Sequence, residues 1–456
     1  MWLYPKQPAG RYTRARTGLS YVLILVMFAG PFIKIQGNPL LLMDIVERRF
    51  IILGRIFWPQ DAAILAVGLL VFLTGIAIFT AAYGRLWCGW VCPQTVMMEM
   101  VFRKIEYWID GDAHAQRALD RAPWNRRKTV RRAAKHAIFL GLSFVIGNTL
   151  LAYFIGIEKL FAIVTDNPLN HLHGLTFMVL FTLLFYSLFA RFREQACTFI
   201  CPYGRFQSTL LDENSIVVAY DHRRGEQRGF LHRSQPPAER QAAGFGDCID
   251  CHRCVAVCPT GIDIRNGTQM ECVHCTACMD ACDQVMDKID RPRGLVRYAS
   301  LNGIERGERL RLTPRLAAYS VILVALIALE SFLLFSRAEV EATLLRAPGS
   351  LFQQMPNGDY SNLYLLKLIN KTNRDVPVEL RLDNLEGRVQ IMGRPELVVP
   401  AAQLAETSVL IELPRDRLQG ANTRLLVGVY SADGRRLQSV KTGFVGPRSD
   451  RRKDLP

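Results

Sequence analysis

A chain of 456 residues with a formal net charge of +15 has room for two or three domains, but half of it is hydrophobic and gathered into a few long runs, which excludes a single soluble globule. The basic excess invites a nucleic-acid reading. Its placement beside apolar runs argues instead for the cytoplasmic side of an inner-membrane protein, and no nucleic-acid partner is expected.

Residues 1–18 form a short basic stretch with Lys6, Arg11, Arg14 and Arg16, ahead of an apolar run over 19–35. No small-residue cleavage site follows, so this is read as an uncleaved first span. A second run at 62–83 is long enough to cross a hydrocarbon core of ~30 Å at about 1.5 Å per residue. Runs at 136–157, 174–192 and 316–335 complete five expected transmembrane helices, four of them within 19–192. Residues 84–135 are dense in Lys and Arg, whereas 37–61 carries only Arg48, Arg49 and Arg55, and 158–173 only Lys159. The positive-inside rule puts the N-terminus, a loop over 84–135 and an insert over 193–315 in the cytoplasm, and the C-terminus outside.

Within the insert, residues 215–220 read as a short strand. The stretch 222–246, polar and broken by Gly225, Gly229, Pro236 and Pro237, reads as a flexible tether or, alternatively, a docking strip for a donor protein. A ferredoxin-like domain at about 240–292 follows, with Cys248, Cys251, Cys254 and Cys258 in CIDCHRCVAVCP and Cys272, Cys275, Cys278 and Cys282 in CVHCTACMDAC. An iron–sulfur cubane needs four converging thiolates; a CxxCxxC loop supplies three, and in two-cluster ferredoxins the last cysteine of each run serves the other cluster. One [4Fe–4S] cluster is therefore assigned to Cys248, Cys251, Cys254 and Cys282, and a second to Cys272, Cys275, Cys278 and Cys258. Zinc or disulfides are the alternatives, but zinc sites rarely repeat this spacing twice. Pro259 follows the first run, whereas Asp283 stands where a second proline is usual. His252 and His274, between cluster cysteines, are read as tuning or shielding groups. Cluster loading needs a reducing compartment, which agrees with a cytoplasmic insert and a cytoplasmic electron donor.

Beyond the fifth span, residues 360–370, 376–382, 408–413 and 424–430 read as strands separated by turns at 372–375 and 432–434, giving a periplasmic immunoglobulin-like β-sandwich over 340–456 on strand rhythm alone.

Four further cysteines lie in two CxxxCP motifs: Cys88 and Cys92 in LWCGWVCPQT after the second span, Cys197 and Cys201 in QACTFICPYG after the fourth. On a helix, cysteines at i and i+4 share a face, so each pair can bind a soft metal ion or form a redox disulfide, with Pro93 and Pro202 ending or bending the helix. Met97, Met98 and Met100 add thioethers, and thiolates with thioethers favour reduced copper; the alternative is plain packing. His171 and His173 are read as interfacial polar residues rather than ligands of a metal or haem.

The combination of five spans, two ferredoxin runs, CGWVCP, CTFICP and an exported sandwich resembles the FixG, RdxA and CcoG family of cytochrome oxidase accessory proteins. That resemblance implies a bacterial inner-membrane protein associated with maturation of cbb3-type cytochrome c oxidase, reducing copper(II) to copper(I) for delivery to it. It implies the eight ferredoxin cysteines as cluster ligands and matches the other four to the membrane motifs without fixing how they act. Expected partners are the membrane, the cytoplasmic donor, copper or a copper chaperone, and oxidase subunits or assembly factors; a homodimer is compatible with it. Two other readings stand beside this one: a quinol-linked electron-transfer subunit, and a non-enzymatic assembly factor acting through the exported domain.

Overall fold

A computed structural model describes residues 3–231, 237–308, 312–349, 351–393 and 397–447. The first two residues of the basic N-terminal stretch, Pro236 of the expected tether and the end of the exported domain beyond 447 lie outside the described residues. The chain divides into two compact units, Met1–Phe32 with Ala63–Glu330 and Ile33–Ala62 with Ser331–Pro456.

Among the described residues five helices are long and apolar enough to cross a membrane: Arg11–Phe32, Pro59–Tyr83, Arg126–Ile155, Leu169–Phe192 and Pro314–Phe335. The first and third begin earlier than the apolar runs indicate. Arg16 is absorbed into the first because its Nε donates to the Gly89 carbonyl at 2.6 Å. Asn125 starts the third by accepting from the Lys128 amide at 2.9 Å, a side-chain cap over one of the amides a helix start leaves unpaired.

The segment 84–135 is not a loop. It folds into the helices Leu86–Trp90, Pro93–Met97, Arg103–Asp110 and Ala113–Arg121, with a π-helical turn at Met98–Phe102. Apolar packing holds it, with Met97, Met98 and Phe102 against Phe139, Ile146 and Phe189. Several of its charges are paired, Lys135 with Asp110 at 2.7 Å and Arg103 with Glu99 at 2.9 Å within the segment, and Glu106 with Arg193 beyond it. Apolar packing and these ion pairs make the connection between the second and third spans a packed layer of short helices.

The insert is built on a two-stranded antiparallel pair, Val217–Tyr220 with Val296–Ala299. Behind it Val218, Ile264, Met279, Met286 and Leu295 form a core. The described parts of the expected tether are ordered. Arg240, 2 % exposed, donates to the carbonyls of Gly229, Phe230, Gly246 and Cys248 at 2.8–3.1 Å, and Arg224 pairs with Asp247 at 2.6 Å. A single guanidinium with five donors folds this polar stretch against the first cysteine loop, which glycine and proline content could not reveal.

The second unit contains a three-stranded meander, Leu41–Asp44, Arg49–Ile52 and Arg55–Phe57, and a β-sandwich. One sheet runs in the order Arg388–Ile391, Leu404–Leu413, Tyr360–Asn370, Val340–Arg346, with Gln353–Gln354 beside Tyr360–Asn370; the other runs Leu397–Val399, Val376–Leu382, Asn422–Ser431, Arg436–Val445. All pairings are antiparallel. Along Tyr360–Asn370, Tyr364, Leu366 and Leu368 point into the core and Leu365 and Lys367 out, the period-2 pattern of a half-buried strand. Asp61, just before the second span, pairs with Arg337 and Lys371, both at 2.6 Å.

Candidate functional site

The two cysteine loops share one backbone plan. Asp250 and His252 flank Cys251 with φ of 53 and 51, and His274 and Thr276 flank Cys275 with φ of 53 and 65. Left-handed backbone at non-glycine residues costs on the order of 1–3 kcal/mol each and persists only where the surroundings enforce it. Arg265 enforces it in the first loop, bonding His252 Nδ1 at 2.8 Å and Asp263 at 2.6 Å and pairing with Asp250. Such alternation turns successive N–H groups inward, forming concave nests suited to a cluster's sulfides. The sequence spacing gives the cysteines but not this strain.

Cys248, Cys251, Cys254 and Cys282 line one cavity of about 370 Å³. Cys258, Cys272, Cys275 and Cys278, with Cys254 between the two, line another of about 350 Å³. The helix Ala277–Lys288 carries Cys278 to the second cavity and Cys282 to the first, because i and i+4 stack on one helix face. Among the described residues no three His, Cys, Asp or Glu side chains stand close enough to share a single metal ion. Four cysteines in the ferredoxin spacing converge on each cavity, the ligand set of a four-iron cluster, and the described cysteines are all free of disulfides. Asp283 has its own work: it accepts from the Gly294 amide at 2.9 Å, fastening the turn after the helix.

The loop carrying Cys272 and Cys275 rests directly on the first CxxxCP motif. A Cβ on Gly84, itself at φ +57, would stand 2.5 Å from His274 Cε1, and one on Gly89 would strike the Val273 and His274 carbonyls. Both positions thus require glycine for close approach. The Arg85 amide donates to His274 Nδ1 at 3.0 Å, and Trp90 Nε1 donates to the Tyr298 hydroxyl at 3.1 Å. Burial, reinforced by the Arg85 charge, pulls the His274 imidazole down to about 3, so it stays a neutral acceptor. On the other flank Asp280 accepts from the Tyr12 and Thr13 amides at 3.1 and 2.7 Å, placing a carboxylate at the N-terminus of the first span where the helix dipole favours one. Gly89, Trp90, His274 and Asp280 lie inside the cysteine motifs, but what each of them meets is recognisable only once the chain is folded.

The two CxxxCP motifs meet. Arg85 donates to the Gly204 carbonyl, the Thr80 and Tyr203 hydroxyls are 2.6 Å apart, and the Cys88 and Cys197 thiols each lie near enough to cysteines of the other motif to interact electrostatically. Within each motif, however, the two cysteines do not share a helix face. Leu86–Trp90 ends before Cys92 and the π-helical turn Ala196–Ile200 ends before Cys201, because a residue before proline is driven out of the helical region. Burial and the neighbouring Cys92 push the Cys88 thiol up to about 12 against the pull of Arg85, and burial pushes Cys197 up to about 11.

Met97 and Met98 lie in the apolar core between helices, and Met100 sulfur accepts from the Thr17 hydroxyl at 3.7 Å; all three are buried packing groups. His171 pairs with Asp166 at 2.8 Å on an exposed surface.

Three protein-family models match the chain: a 4Fe-4S binding domain over residues 65–111, a 4Fe-4S dicluster domain over 192–301, and the IG-like fold at the C-terminal of FixG over 331–447. Protein RdxA of Cereibacter sphaeroides is 35% identical, covering 98% of this chain and 98% of its own. Nitrogen fixation protein FixG of Rhizobium meliloti is 32% identical over 92% of this chain and 88% of its own, and Protein RdxB of Cereibacter sphaeroides 34% over 87% and 85%.

Proposed function

This chain belongs to the family of FixG and RdxA, and on that premise we propose that it is a cupric reductase: a membrane-bound iron–sulfur electron-transfer protein that converts copper(II) to copper(I) for assembly of a cbb3-type cytochrome c oxidase. In this reading Cys248, Cys251, Cys254 and Cys282 hold one [4Fe–4S] cluster and Cys258, Cys272, Cys275 and Cys278 the other. The insert, the N-terminal stretch and residues 84–135 are placed in the cytoplasm, and the sandwich in the periplasm. Bound clusters supply one-electron redox chemistry.

The observation that carries the reading is the contact between the Cys272–Cys275 loop and the segment Gly84–Cys92, which sets a cluster cavity against four soft thiols. The chain's residues divide the work. Cys251 is exposed and offers an entry edge to a cytoplasmic donor, whereas the inner loop is sealed by Val257, Val273 and Ala277 packed with Cys88. Arg85, buried and almost without exposure, keeps a positive charge beside the thiols, favouring their deprotonated form. Copper(II) is the substrate, taking one electron per ion from the reduced protein, which returns to its oxidised state.

The test is anaerobic: full-length protein is reduced, freed of excess reductant and mixed with copper(II) and a copper(I)-specific chelator. Formation of copper(I) with matching oxidation of the clusters is expected. If the clusters stay reduced and no copper(I) appears, copper is not the acceptor, and the protein remains an electron-transfer protein of another partner.

A further inference from the structure

The four cysteines outside the ferredoxin loops form one site made from two copies of the same local structure. In the first, Leu86–Trp90 carries Cys88, the backbone turns extended at Cys92 (φ −56, ψ 124) and Pro93 opens Pro93–Met97. In the second, Ala196–Ile200 carries Cys197, the backbone turns extended at Cys201 (φ −71, ψ 115) and Pro202 opens Pro202–Phe206. The closing hydrogen bond is the same in both: the amide of the second cysteine returns to the carbonyl of the residue before the first, Cys92 to Trp87 at 3.0 Å and Cys201 to Ala196 at 2.8 Å. The Arg85 guanidinium on the Gly204 carbonyl and the Thr80 hydroxyl on that of Tyr203 tie one copy to the other. Two paired cysteine turns therefore face one another beside a buried cation.

The chemistry that suits this arrangement is limited. A single soft ion held by three or four thiolates needs sulfurs about 4 Å apart, given metal–sulfur bonds of ~2.3 Å. Among the described residues no three such side chains are that close, as is also true of the two ferredoxin cavities. All four cysteines are free, so neither motif is a disulfide. Two cysteine pairs brought together beside a buried cation make up the four-thiolate ligand set of an iron–sulfur cluster. The 4Fe-4S binding domain matched over 65–111 contains only Cys88 and Cys92, half of the four thiolates a cubane requires. The structure supplies the other half from Cys197 and Cys201.

We propose that Cys88, Cys92, Cys197 and Cys201 together ligate a further four-iron cluster, separate from the two of the ferredoxin insert. Its neighbour is the Cys275 loop, against which Cys88 packs. Arg85, held by His274 through its amide and by Gly204 through its guanidinium, is the counter-charge such an anionic cluster needs in a dry site. The assignment rests on the reading of the chain as an iron–sulfur electron-transfer protein and is independent of copper as the acceptor; copper is then met beyond these thiols rather than bound by them.

The decisive measurement is iron and acid-labile sulfide per chain in full-length protein purified or reconstituted without oxygen. About twelve irons are expected, falling by about four in Cys88→Ser and in Cys201→Ser while the signals of the insert's clusters remain. About eight irons in the wild type, unchanged in both variants, overturns the proposal. So does one tightly bound copper per chain that disappears with Cys88. The wild-type count decides the matter even where a variant fails to fold. Twelve irons without copper reduction upholds this site and removes the copper acceptor; eight irons with copper reduction does the reverse.

Discussion

The C-terminal sandwich hides Tyr364, Leu366, Leu368, Val409, Ile411, Leu425 and Val427 between two regular sheets, whereas the insert gathers cysteines, a buried Arg240 and Arg265, and four left-handed non-glycine residues around two cavities. The first is held by apolar burial, worth roughly 1.5–3 kcal/mol per fully buried aliphatic side chain, and by antiparallel ladders that satisfy the backbone. The second spends apolar core on ligand placement and replaces it with charge-assisted hydrogen bonds and metal–thiolate bonds, whose formation is coupled to folding. The difference separates a region whose stability is intrinsic from one whose stability depends on what it binds.

Three changes break or sharpen that contrast. The largest effect belongs to Cys282→Ser, which removes a thiolate lining the first cavity from a helix that also serves the second. The insert should lose about four irons per chain and become sensitive to limited proteolysis, with amide exchange in the sandwich unaltered. Retention of all iron would mean that Cys282 is no ligand. Next is Leu368→Ala at a fully buried sandwich position, where truncation of a core leucine costs about 2–5 kcal/mol. Exchange in Tyr360–Asn370 should accelerate strongly while iron content holds; a matching loss of iron would show that the two regions are not independent.

The smallest effect is electrostatic. Burial alone would raise the Glu106 carboxyl, but Arg193 and Lys135 outweigh it and hold it below the usual carboxylate range. A carboxyl depressed in the folded state adds stability above its unfolded value of about 4.3, and that stability is lost as pH falls through the folded value. Thermal unfolding in detergent should therefore weaken on acidification, and Glu106→Gln should lower the midpoint at pH 7 by a few degrees and flatten the acid arm. An unchanged acid arm in the variant would move the origin of the pH dependence elsewhere.

Legibility from sequence followed the same divide. Strands 360–370 and 376–382 were readable because apolar positions recur along them, while Arg436–Val445, an edge strand with few apolar residues, was not. In the insert the cysteine spacing was plain, but its docking was not: Asp280 and Trp90 lie inside the cysteine motifs and Arg85 just before one, yet nothing in the spacing says that they meet Tyr12, Tyr298 and His274. The described parts of the stretch expected to be a tether are held, because glycine, proline and arginine describe what a backbone permits, whereas the carbonyls facing Arg240 decide what those parts do.

By itself the sequence determined what is local or periodic. Five apolar runs set the spans, because crossing hydrocarbon requires length and apolarity and nothing else. Repeated CxxCxxC loops set the chemistry of the insert's clusters, because each such tight turn supplies three of the four thiolates of one cubane. Tertiary structure alone decided what depends on segments distant in the chain. It laid His274 on Gly84 and Gly89, set Asp280 at the start of the first span, and folded the carbonyls of Gly229 and Cys248 around Arg240. Convergence in space is a property of packing, and no spacing along the chain encodes it.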